Sequence, residues 1–374
     1  MMKKLGLIVN PVAGIGGRVG LKGSDGLATL DRARRLGAVP ESPRRAVEAL
    51  RGLEKIKKRL EIITYPHEMG EDEAMACGFE PFTLGAITKG MTTAGDTRRA
   101  AGDMLDLKVD LLLFAGGDGT ARDIYNAIGD RIPSLGIPTG VKIHSSVFAT
   151  NPRNAGILAA RYLAESNSVI RLINGEIMDV DERAFREGRL EARLYGFLKT
   201  VAGYEMIQEV KVATPPGEKT ALEAIAGDVL EIMEDDVLYI VGPGTTTRAI
   251  MDKLGIKSTL LGVDAVLNRE FAGSDLNEAE LLTLMQDKKT KIIVSVIGRQ
   301  GYVFGRGNQQ ISPDIIRLVG KKNIIVAATR EKLMGLGKKS LLADTGDHDV
   351  DEMLRGYIHV FTGFGERVML KIAF

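Results

Sequence analysis

The sequence of 374 residues contains no tryptophan, one cysteine and few aromatic residues of any kind, which make up 5% of the chain. The single cysteine, Cys77, excludes an internal disulfide and is typical of a protein from a reducing compartment, so we expect a cytoplasmic location. No two histidines have the spacing of zinc ligands, since they are scattered as His67, His144, His348 and His359. A disulfide scaffold and a local zinc motif are therefore excluded.

Excess charge and long hydrophobic runs are also missing. A formal net charge of +1 gives no broad basic surface, so we expect no nucleic-acid partner. No apolar run approaches the roughly 20 residues that cross a bilayer, and we expect no membrane partner. The run at residues 5–9 is too short for the core of a signal peptide and predicts the first strand of a sheet. What remains is the composition of an ordinary globular protein, long enough for two domains.

The first third of the chain alternates apolar runs with helical patterns. The runs at residues 5–9, 60–65, 109–114 and 134–137 predict strands, and the segments between them predict helices. Strands that are separated by helices form a parallel, doubly wound sheet, in which ligands bind at the carboxyl ends of the strands. We therefore predict an α/β amino-terminal domain over residues 1–155.

The rest of the chain, residues 156–374, contains more strand patterns than helical ones. We predict a β-rich second domain and place the boundary between Asn151 and Ser168. A strand, a glycine-rich loop and a helix near residues 237–290 indicate an extra α/β insertion in it. The predicted strands lie at residues 177–181, 191–200, 237–241, 259–263 and 291–297, with a final hairpin at 359–362 and 367–372.

The most informative stretch is Phe-Ala-Gly-Gly-Asp-Gly-Thr-Ala-Arg-Asp-Ile, residues 114–124, which follows a predicted strand and begins a predicted helix. A glycine-rich turn at this place gathers free backbone N–H groups at the positive end of the helix, where phosphate binds. Gly116, Gly117 and Gly119 let the backbone approach a ligand closely. Asp118 repels phosphate and has three explanations: it holds a metal ion, it accepts a proton from an attacking hydroxyl, or it stabilises a tight turn.

A second glycine-rich loop directly follows the first predicted strand. Its cations can neutralise phosphate, and its glycines can admit it. One such loop is weak evidence, but two are stronger, because a doubly wound sheet brings the carboxyl ends of its strands together. The candidate contacts in this loop are Asn10, Gly14, Gly16, Gly17, Arg18 and Lys22.

The loop after the next predicted strand, residues 136–146, is a third candidate. Thr139 and Gly140 can contact phosphate, and Lys142 can lie against it as a point charge. His144 has two interpretations that the sequence leaves open: a proton-transfer group, or a histidine that is hydrogen-bonded within the fold.

Residues 242–248, Gly-Pro-Gly-Thr-Thr-Thr-Arg, form another candidate phosphate loop. Its contacts would be Gly244, Thr245 and Thr246, at the start of a predicted helix. The alternative is a capped helix start that binds no ligand.

Residues 305–310, Gly-Arg-Gly-Asn-Gln-Gln, are dense in side chains that bind phosphate or amide groups. Arg306 and Asn308 are the candidate ligand contacts in this loop. The alternative is a hairpin loop with exposed polar tips, and the sequence leaves both open.

Three of these motifs carry a resemblance to a known family. Asn-Pro-x-x-Gly at residues 10–14, Gly-Gly-Asp-Gly-Thr at 116–120 and a glycine-bearing turn after the next strand resemble the NAD kinase and diacylglycerol kinase superfamily. The spacing is closest to the NAD kinase branch, and the layout to predicted ATP-NAD kinases that include proteins encoded with acetoin catabolism. The resemblance covers roughly the first 150 residues.

The resemblance implies that Asp118 accepts the proton of the hydroxyl that is phosphorylated. It also implies that Asn10, Gly116, Gly117, Gly119 and Thr120 contact the nucleotide or its phosphates. The expected activity is that of an ATP-dependent kinase with NAD as the default acceptor and NADP as the product. ATP is the expected cofactor, polyphosphate an alternative donor, and Mg²⁺ the expected bridging ion. By the same resemblance, the second domain binds the substrate and forms a homo-oligomer.

The second half of the chain departs from the family pattern. NAD kinases hold the adenosine ribose of NAD with an Asn-Glu pair, but the only Asn-Glu here, Asn277-Glu278, has the pattern of a helix cap. Residues 294–313 stand where the family has Thr-Gly-Ser-Thr-Ala-Tyr. Another hydroxylated metabolite is therefore an equal candidate for the acceptor. A nucleotide-binding regulator without turnover is the alternative from a different class.

Overall fold

The computed structural model describes residues 2–21, 27–139, 143–164, 171–180, 192–202, 219–259, 261–297, 301–336 and 340–373. Strands and helices alternate in the first part of the chain, as predicted. These elements are β1 (Lys3–Val9), α1 (Leu27–Arg35), α2 (Ser42–Arg51), β2 (Leu60–Thr64), α3 (Glu71–Ala76), β3 (Phe82–Thr83), α4 (Ala94–Asp106), β4 (Leu111–Gly116), α5 (Asp118–Ile128), β5 (Ser134–Pro138) and α6 (Pro152–Ala164).

The first sheet has the strand order β3-β2-β1-β4-β5, and its strands are all parallel. Chain order reverses between β1 and β4, so the loops that leave their carboxyl ends diverge toward opposite faces of the sheet. Helices α2 and α6 cover one face, and α4 and α5 cover the other. The predicted doubly wound amino-terminal domain is confirmed.

The central strand β4, Leu-Leu-Leu-Phe-Ala-Gly, is buried along its whole length. Because its side chains point alternately to two covered faces, all of them are apolar, and the strand is a continuous hydrophobic run. Leu111 and Leu113 enter the core on the side of α2, and Leu112 and Phe114 enter the core on the side of α5. This anchoring fixes the position of the glycine turn that follows.

The second part of the chain contains more strands than helices. Its described elements are β6 (Arg171–Val180), β7 (Ala192–Ala202), α7 (Lys219–Glu231), β8 (Val237–Val241), α8 (Thr245–Lys253), β9 (Asp264–Leu267), β10 (Glu270–Gly273), α9 (Glu278–Met285), β11 (Lys289–Ser295), β12 (Tyr302–Phe304), α10 (Pro313–Val319), β13 (Ile324–Ala327), α11 (Arg330–Met334), β14 (Leu341–Ala343), α12 (His348–Leu354), β15 (Gly356–Gly363) and β16 (Glu366–Ala373).

A mixed sheet of order β10-β9-β8-β11-β13-β15-β16-β14-β12 organises this part of the chain. The predicted β-rich second domain is confirmed, and the α/β unit expected near residues 237–290 is continuous with its sheet. The strand predicted at 259–263 is wrong, because the strand lies at Asp264–Leu267. Thr259 donates its N–H and its hydroxyl to the Asp264 carboxylate, at 2.8 Å each, and so closes a turn ahead of the strand.

Strands β6 and β7 form a separate antiparallel ribbon that packs on the first domain. Ile177 and Leu198 of the ribbon lie in the same core as α4 and α5. Helix α6 also packs on the first sheet. The division of the chain at residue 155 stays a prediction. Within the described ranges, no helix combines the length and the hydrophobicity that a membrane span requires.

A buried ion-pair cluster joins the two parts of the chain. Arg45 on α2 donates from Nη1 to Asp344 Oδ2 at 2.8 Å and to the carbonyl of Pro138 at 3.1 Å. Arg306 Nη2 lies 3.2 Å from the same Asp344 oxygen and donates to the carbonyl of Thr150 at 3.0 Å. Burial alone would raise the pKa of Asp344, but the two guanidiniums outweigh it and hold that pKa below its usual range. The cluster fixes α2 and the end of β5 against the second sheet.

Glu73 on α3 makes the stability of the fold dependent on pH. It is buried, and burial raises the pKa of its carboxyl from 4.5 to about 7. The folded protein therefore binds this proton more tightly than the unfolded chain, and stability falls as pH rises from 4.5 through 7. We expect Glu73→Gln to raise the Tm at pH 8 by several degrees and to leave it almost unchanged at pH 4.5. Thermal unfolding at both values checks this.

The exposed Glu80 provides the matched control for that experiment. Glu80→Gln should leave the Tm within about one degree of the parent protein at both pH values, because surface substitutions of this kind change stability little. An equal shift of the Tm at pH 8 and at pH 4.5 in Glu73→Gln would contradict the titration of Glu73.

Candidate active site

The first residues of the two glycine-rich loops meet at the carboxyl ends of the adjacent strands β1 and β4. Asn10 follows β1, and its Nδ2 donates to the Thr120 hydroxyl in the first turn of α5 at 2.9 Å. The backbone N–H of Asn10 donates to the carbonyl of Ala115 in β4 at 3.0 Å. Motifs 110 residues apart in sequence are therefore joined by a side-chain hydrogen bond at the point where doubly wound sheets bind ligands.

Two glycines are required for the loops to come together. Gly14 has a φ of +80°, and a Cβ on it would lie 2.0 Å from the carbonyl oxygen of Thr139. A Cβ on Gly116 would lie 2.4 Å from the hydroxyl of Thr120. These glycines are explained by packing, because a side chain at Gly14 would collide with the end of β5 and one at Gly116 with Thr120 in the first turn of α5.

The other two glycines of the turn have no such steric explanation. A Cβ on Gly117 would meet no described atom within 4 Å, and one on Gly119 would meet Arg122 Nη2 at 3.7 Å. Gly117 precedes α5 as its N-cap residue, and Gly119 is the second residue of the helix. The backbone therefore stays accessible at the positive end of a helix dipole, which is the arrangement that binds phosphate.

Asp118 opens α5 and binds the segment that follows β5. Its Oδ1 accepts hydrogen bonds from the backbone N–H of Ser145 at 3.0 Å and from the Ser145 hydroxyl at 2.5 Å. Its Oδ2 accepts from the backbone N–H of His144 at 2.9 Å and faces His144 Nδ1 at 3.2 Å. The carboxylate thus has a structural contact with residues that sequence reasoning did not pair with it.

The same segment carries the β6–β7 ribbon. The Ser145 hydroxyl accepts from the backbone N–H of Met178 at 2.9 Å, and the Ser146 hydroxyl accepts from that of Glu176 at 2.8 Å. A continuous set of hydrogen bonds therefore runs from α5 through residues 143–146 to the ribbon.

Thr139 lies on the other side of the turn. Its backbone N–H donates to the carbonyl of Gly116 at 3.1 Å, so the end of β5 is fixed beside the glycine turn. Its hydroxyl is fully buried and has no hydrogen-bond partner within the described part of the chain. The neighbouring predicted contacts Gly140 and Lys142, and Lys22 of the first loop, lie outside the described residues.

Of the remaining predicted residues of the first loop, Arg18 lines a cleft between the two domains and Gly16 and Gly17 do not. Gly16 and Gly17 are buried in the turn, and Arg18 is exposed, with its Nε 3.6 Å from Glu41 Oε1. A cavity of about 260 Å³ opens beside them. Its polar lining includes Arg18, Glu41, Arg45, Asn277, Glu278 and Gln309.

Glu41, the N-cap residue of α2, is one of two glutamates in the lining of this cavity, the other being Glu278. Burial alone would raise the pKa of its carboxyl, but the guanidiniums of Arg44, Arg45 and Arg18 outweigh it and lower that pKa. Glu41 therefore stays ionised near neutral pH, and the cavity presents both signs of charge. Sequence reasoning missed Glu41 and Arg45, because nothing local distinguishes them from the polar face of an amphipathic helix.

Asn277 caps α9, as its sequence pattern predicted. Its Oδ1 accepts from the backbone N–H of Glu280 at 3.1 Å, and its own N–H donates to Glu280 Oε2 at 2.8 Å. The backbone N–H of Glu278 also donates to the carbonyl of Arg18 at 3.2 Å. The Asn-Glu pair therefore combines a helix cap with a place in the cavity beside the first glycine loop.

The predicted contacts of residues 305–310 have structural partners. Arg306 belongs to the buried cluster with Asp344 described above. Asn308 accepts from the N–H of Gly305 at 3.0 Å and donates to the carbonyl of Val303 at 2.8 Å, which closes the turn. These contacts explain Arg306 and Asn308 without a ligand, and a phosphate contact for either residue stays a prediction.

The predicted loop at residues 242–248 lies at the end of β8, in the second sheet. Gly244 precedes α8, and Lys332 Nζ donates to the hydroxyls of Thr245 and Thr246 at 3.1 and 2.8 Å. The ammonium group of Lys332 at the N-terminus of α8 would favour binding of an anion, but the hydroxyls of Thr245 and Thr246 already have a partner in this lysine. Binding of phosphate by Gly244, Thr245 and Thr246 stays a prediction.

The hydrogen bonds to Asp118 limit how Mg²⁺ would be held near this residue. Both oxygens of Asp118 are hydrogen-bonded, so this carboxylate presents no free oxygen to an ion. Of the described residues, His67, Glu71 and Asp72 have ligand atoms close enough to share an ion, and they lie beyond the end of β2. Since Mg²⁺ commonly takes its ligands from substrate phosphates and water, the nucleotide would supply most of them here.

Family comparisons agree with the fold. The chain matches the ATP-NAD kinase N-terminal domain over residues 5–166 and the ATP-NAD kinase C-terminal domain over residues 234–372. The chain belongs to the ATP-NAD kinase family. No curated protein sequence matches it significantly.

Solved structures resemble it only distantly. A putative diacylglycerol kinase from Bacillus anthracis str. Sterne is 19% identical, with 48% of this chain and 43% of that one aligned at a TM-score of 0.26. Another diacylglycerol kinase structure from the same organism aligns 48% and 46% of the chains at 19% identity and a TM-score of 0.26. A UDP-N-acetylglucosamine 2-epimerase aligns 95% and 90% at 12% identity and a TM-score of 0.25. The chain spans less than half the length of these diacylglycerol kinases, and the likeness carries no functional argument.

Proposed function

We propose that this protein is a small-molecule kinase that transfers the terminal phosphate of ATP to a hydroxyl, with NAD as the default acceptor and NADP as the product. One observation carries this proposal. Asn10 is hydrogen-bonded to Thr120 of the Gly116–Thr120 turn at the carboxyl ends of β1 and β4, and the Asp118 carboxylate lies at the start of α5. Phosphate binding and proton removal need those groups in that place.

The phosphates of the nucleotide lie against the first turn of α5. Backbone N–H groups at Gly117 and Gly119 are accessible there, and the helix dipole favours negative charge. Mg²⁺, when bound, neutralises the charge that the phosphates carry. Asp118 is the carboxylate beside these N–H groups and would assist removal of the proton from the attacking hydroxyl.

The cavity between the domains would hold the part of the acceptor remote from the reaction, because the Gly116–Thr120 turn, which the reacting hydroxyl has to reach, is not part of its lining. Its volume of about 260 Å³ suits one nucleoside better than a whole dinucleotide, so the rest of NAD would lie along the cleft. Asn277 and Glu278 offer hydrogen-bonding groups to hydroxyls, and Arg18 offers a charge to phosphate. The mixed charge of the cavity is equally compatible with another hydroxylated metabolite.

A nucleotide-binding regulator is the second candidate function. The four contacts of Asp118 with His144 and Ser145 give that carboxylate a structural role that needs no turnover. A regulator would bind ATP at the same turn without phosphorylating any acceptor. A homo-oligomeric state and a cytoplasmic location stay predictions for either candidate.

Transfer of labelled phosphate tests the proposal. Purified protein is incubated with Mg²⁺ and either γ-labelled ATP or labelled polyphosphate, and with NAD or a panel of hydroxylated metabolites. Label in NADP supports the proposal in full. Label in another product supports the kinase and corrects the acceptor. Saturable ATP binding with no labelled product under any condition supports the regulator instead.

Gly119→Ala should change stability and ATP affinity in opposite directions. Alanine is the better helix former, and the new Cβ meets no close neighbour, so stability should rise by about 0.5–1 kcal/mol. The same methyl group stands where a phosphate approaches the backbone, so ATP affinity should fall about tenfold or more. Thermal unfolding and calorimetric ATP titration measure the two effects.

Gly102→Ala is the matched control for this substitution. Gly102 lies inside α4, and a Cβ on it would also meet no described atom within 4 Å. Stability should rise by a similar amount, about 0.5–1 kcal/mol, with ATP affinity unchanged. Unchanged ATP affinity in Gly119→Ala as well would remove the phosphates from this turn.

A further inference from the structure

The hydrogen bonds of Asp118 leave it no position for a substrate. An ionised carboxylate offers about four lone-pair positions. Ser145 occupies Oδ1 with its N–H and its hydroxyl, and His144 occupies Oδ2 with its N–H and its ring. To accept a proton directly from an acceptor hydroxyl, Asp118 would have to release one of these contacts. A different atom is better placed to take the proton.

The ring of His144 is oriented by Asp118. A carboxylate oxygen can only accept, so the neutral imidazole carries its hydrogen on Nδ1, 3.2 Å from Oδ2, and its lone pair on Nε2. The backbone N–H of the same residue is bonded to the same oxygen at 2.9 Å, which fixes the ring relative to α5. A carboxylate that sets the tautomer of a histidine in this way makes the opposite nitrogen a proton acceptor.

No described residue hydrogen-bonds to Nε2 of His144. The residue is 3% exposed, and Nε2 is buried with no hydrogen bond to any residue in the ranges that the structure describes. A buried polar atom left unpaired costs stability, and a ligand group is a usual reason for one. The Thr139 hydroxyl, beside Gly116, is a second buried unpaired group at the same loops. Two such groups on the segment that follows β5 indicate that a polar ligand supplies the missing hydrogen bonds.

We propose that Nε2 of His144 is the atom that accepts the proton of the acceptor hydroxyl, with Asp118 as the residue that positions its ring. This inference rests on the proposed kinase function. The O–H bond of the acceptor breaks and its proton passes to Nε2, while its oxygen bonds to the terminal phosphorus of ATP. The bond from that phosphorus to the bridging oxygen breaks, and ADP leaves with the electron pair. The imidazolium, stabilised by Asp118, then returns its proton to solvent.

Two substitutions at position 144 test the assignment. His144→Asn keeps a donor near the place of Nδ1, and His144→Gln reaches the place of Nε2, but neither side chain can take up a proton. We expect each to lower kcat about 100-fold or more, with the KM for ATP within about threefold of the parent value.

Ser146→Ala is the matched control from the same segment. It removes one hydrogen bond to Glu176 of the ribbon and leaves Asp118 and His144 untouched, so its kcat should stay near the parent value. Thermal unfolding shows which variants are folded. A smaller loss of kcat in a folded position-144 variant overturns the assignment alone. Absence of phosphate transfer by the wild-type protein to every acceptor overturns the kinase function, and the assignment with it.

Discussion

Asparagine at position 118 is expected to lower the kcat of phosphate transfer about 10³-fold or more while ATP still binds. The substitution removes the negative charge that stabilises an imidazolium at His144. It also replaces an acceptor oxygen by an NH₂ group that faces N–H donors of His144 or Ser145. The phosphate contacts are backbone groups of the turn, so the affinity for ATP should change only a few-fold. Steady-state kinetics and calorimetric ATP titration measure the two quantities.

A structural effect of this substitution has to be separated from the chemical one. A buried N–H left without its acceptor costs about 1–3 kcal/mol, so Asp118→Asn should also unfold at a lower temperature. Ser145→Ala gives the comparison, because it keeps the carboxylate. It removes one hydrogen bond to Asp118 and the acceptor of the buried Met178 N–H, at a combined cost of about 2–4 kcal/mol. Its loss of kcat should be far smaller. A kcat in Asp118→Asn within tenfold of the parent value would contradict a role for Asp118 in the reaction.

Alanine at position 344 is expected to destabilise the protein by about 3–5 kcal/mol, the largest effect on stability that we predict. Asp344 is the shared counter-ion of Arg45 and Arg306, and all three side chains are buried. Without it, two guanidiniums stay in the interior with no carboxylate, which costs more than the ion pairs themselves contribute. Denaturant unfolding of the full chain measures the change in the free energy of unfolding.

The exposed pair of Asp314 and Arg317 is the control for Asp344→Ala. These side chains lie 3.0 Å apart on α10 and are largely solvated, so Asp314→Ala should cost about 0–1 kcal/mol. The pKa of Asp344 lies below its ordinary value of 3.8, because two guanidiniums outweigh the effect of burial. Its contribution to stability is therefore present above pH 3.8 and is lost as pH falls below it. Equal destabilisation by the two alanine variants would contradict the account of the cluster.

The features that sequence predicted are those that local rules determine. A strand covered on both faces must be a continuous apolar run, and β4 is one. A glycine turn between such a strand and a helix places N–H groups at a helix start wherever it occurs. The meeting of Asn10 with Thr120 follows from the topology of any doubly wound sheet, so it could be expected without coordinates.

Contacts that depend on the path of a loop could not be predicted in the same way. Asp118 binds His144 and Ser145 because the chain after β5 turns back across α5, and no local pattern encodes that turn. Arg45 and Asp344 are separated by 299 residues, and each looks like an ordinary surface charge in its own segment. For that reason Arg306 was predicted to bind a ligand, whereas its described contacts join the two domains.

Asn277 and Glu278 combine a feature that the local sequence predicts with a position that it does not. Their local pattern predicts a helix cap, and the capping box with Glu280 confirms it. Their position beside Arg18 and the first glycine loop comes from the docking of the two domains, which the pattern does not contain. A residue with a sufficient local explanation can therefore still line a binding cavity.

Amide hydrogen exchange, with and without ATP and Mg²⁺, tests most directly whether the nucleotide phosphates lie at the carboxyl ends of β1 and β4. Peptides that cover residues 10–21 and 116–122 should exchange more slowly when the nucleotide is bound, because their N–H groups are then hydrogen-bonded and the loops open less often. Protection confined to residues 242–248, or unchanged exchange at both glycine loops when ATP is saturating, would contradict the proposed site.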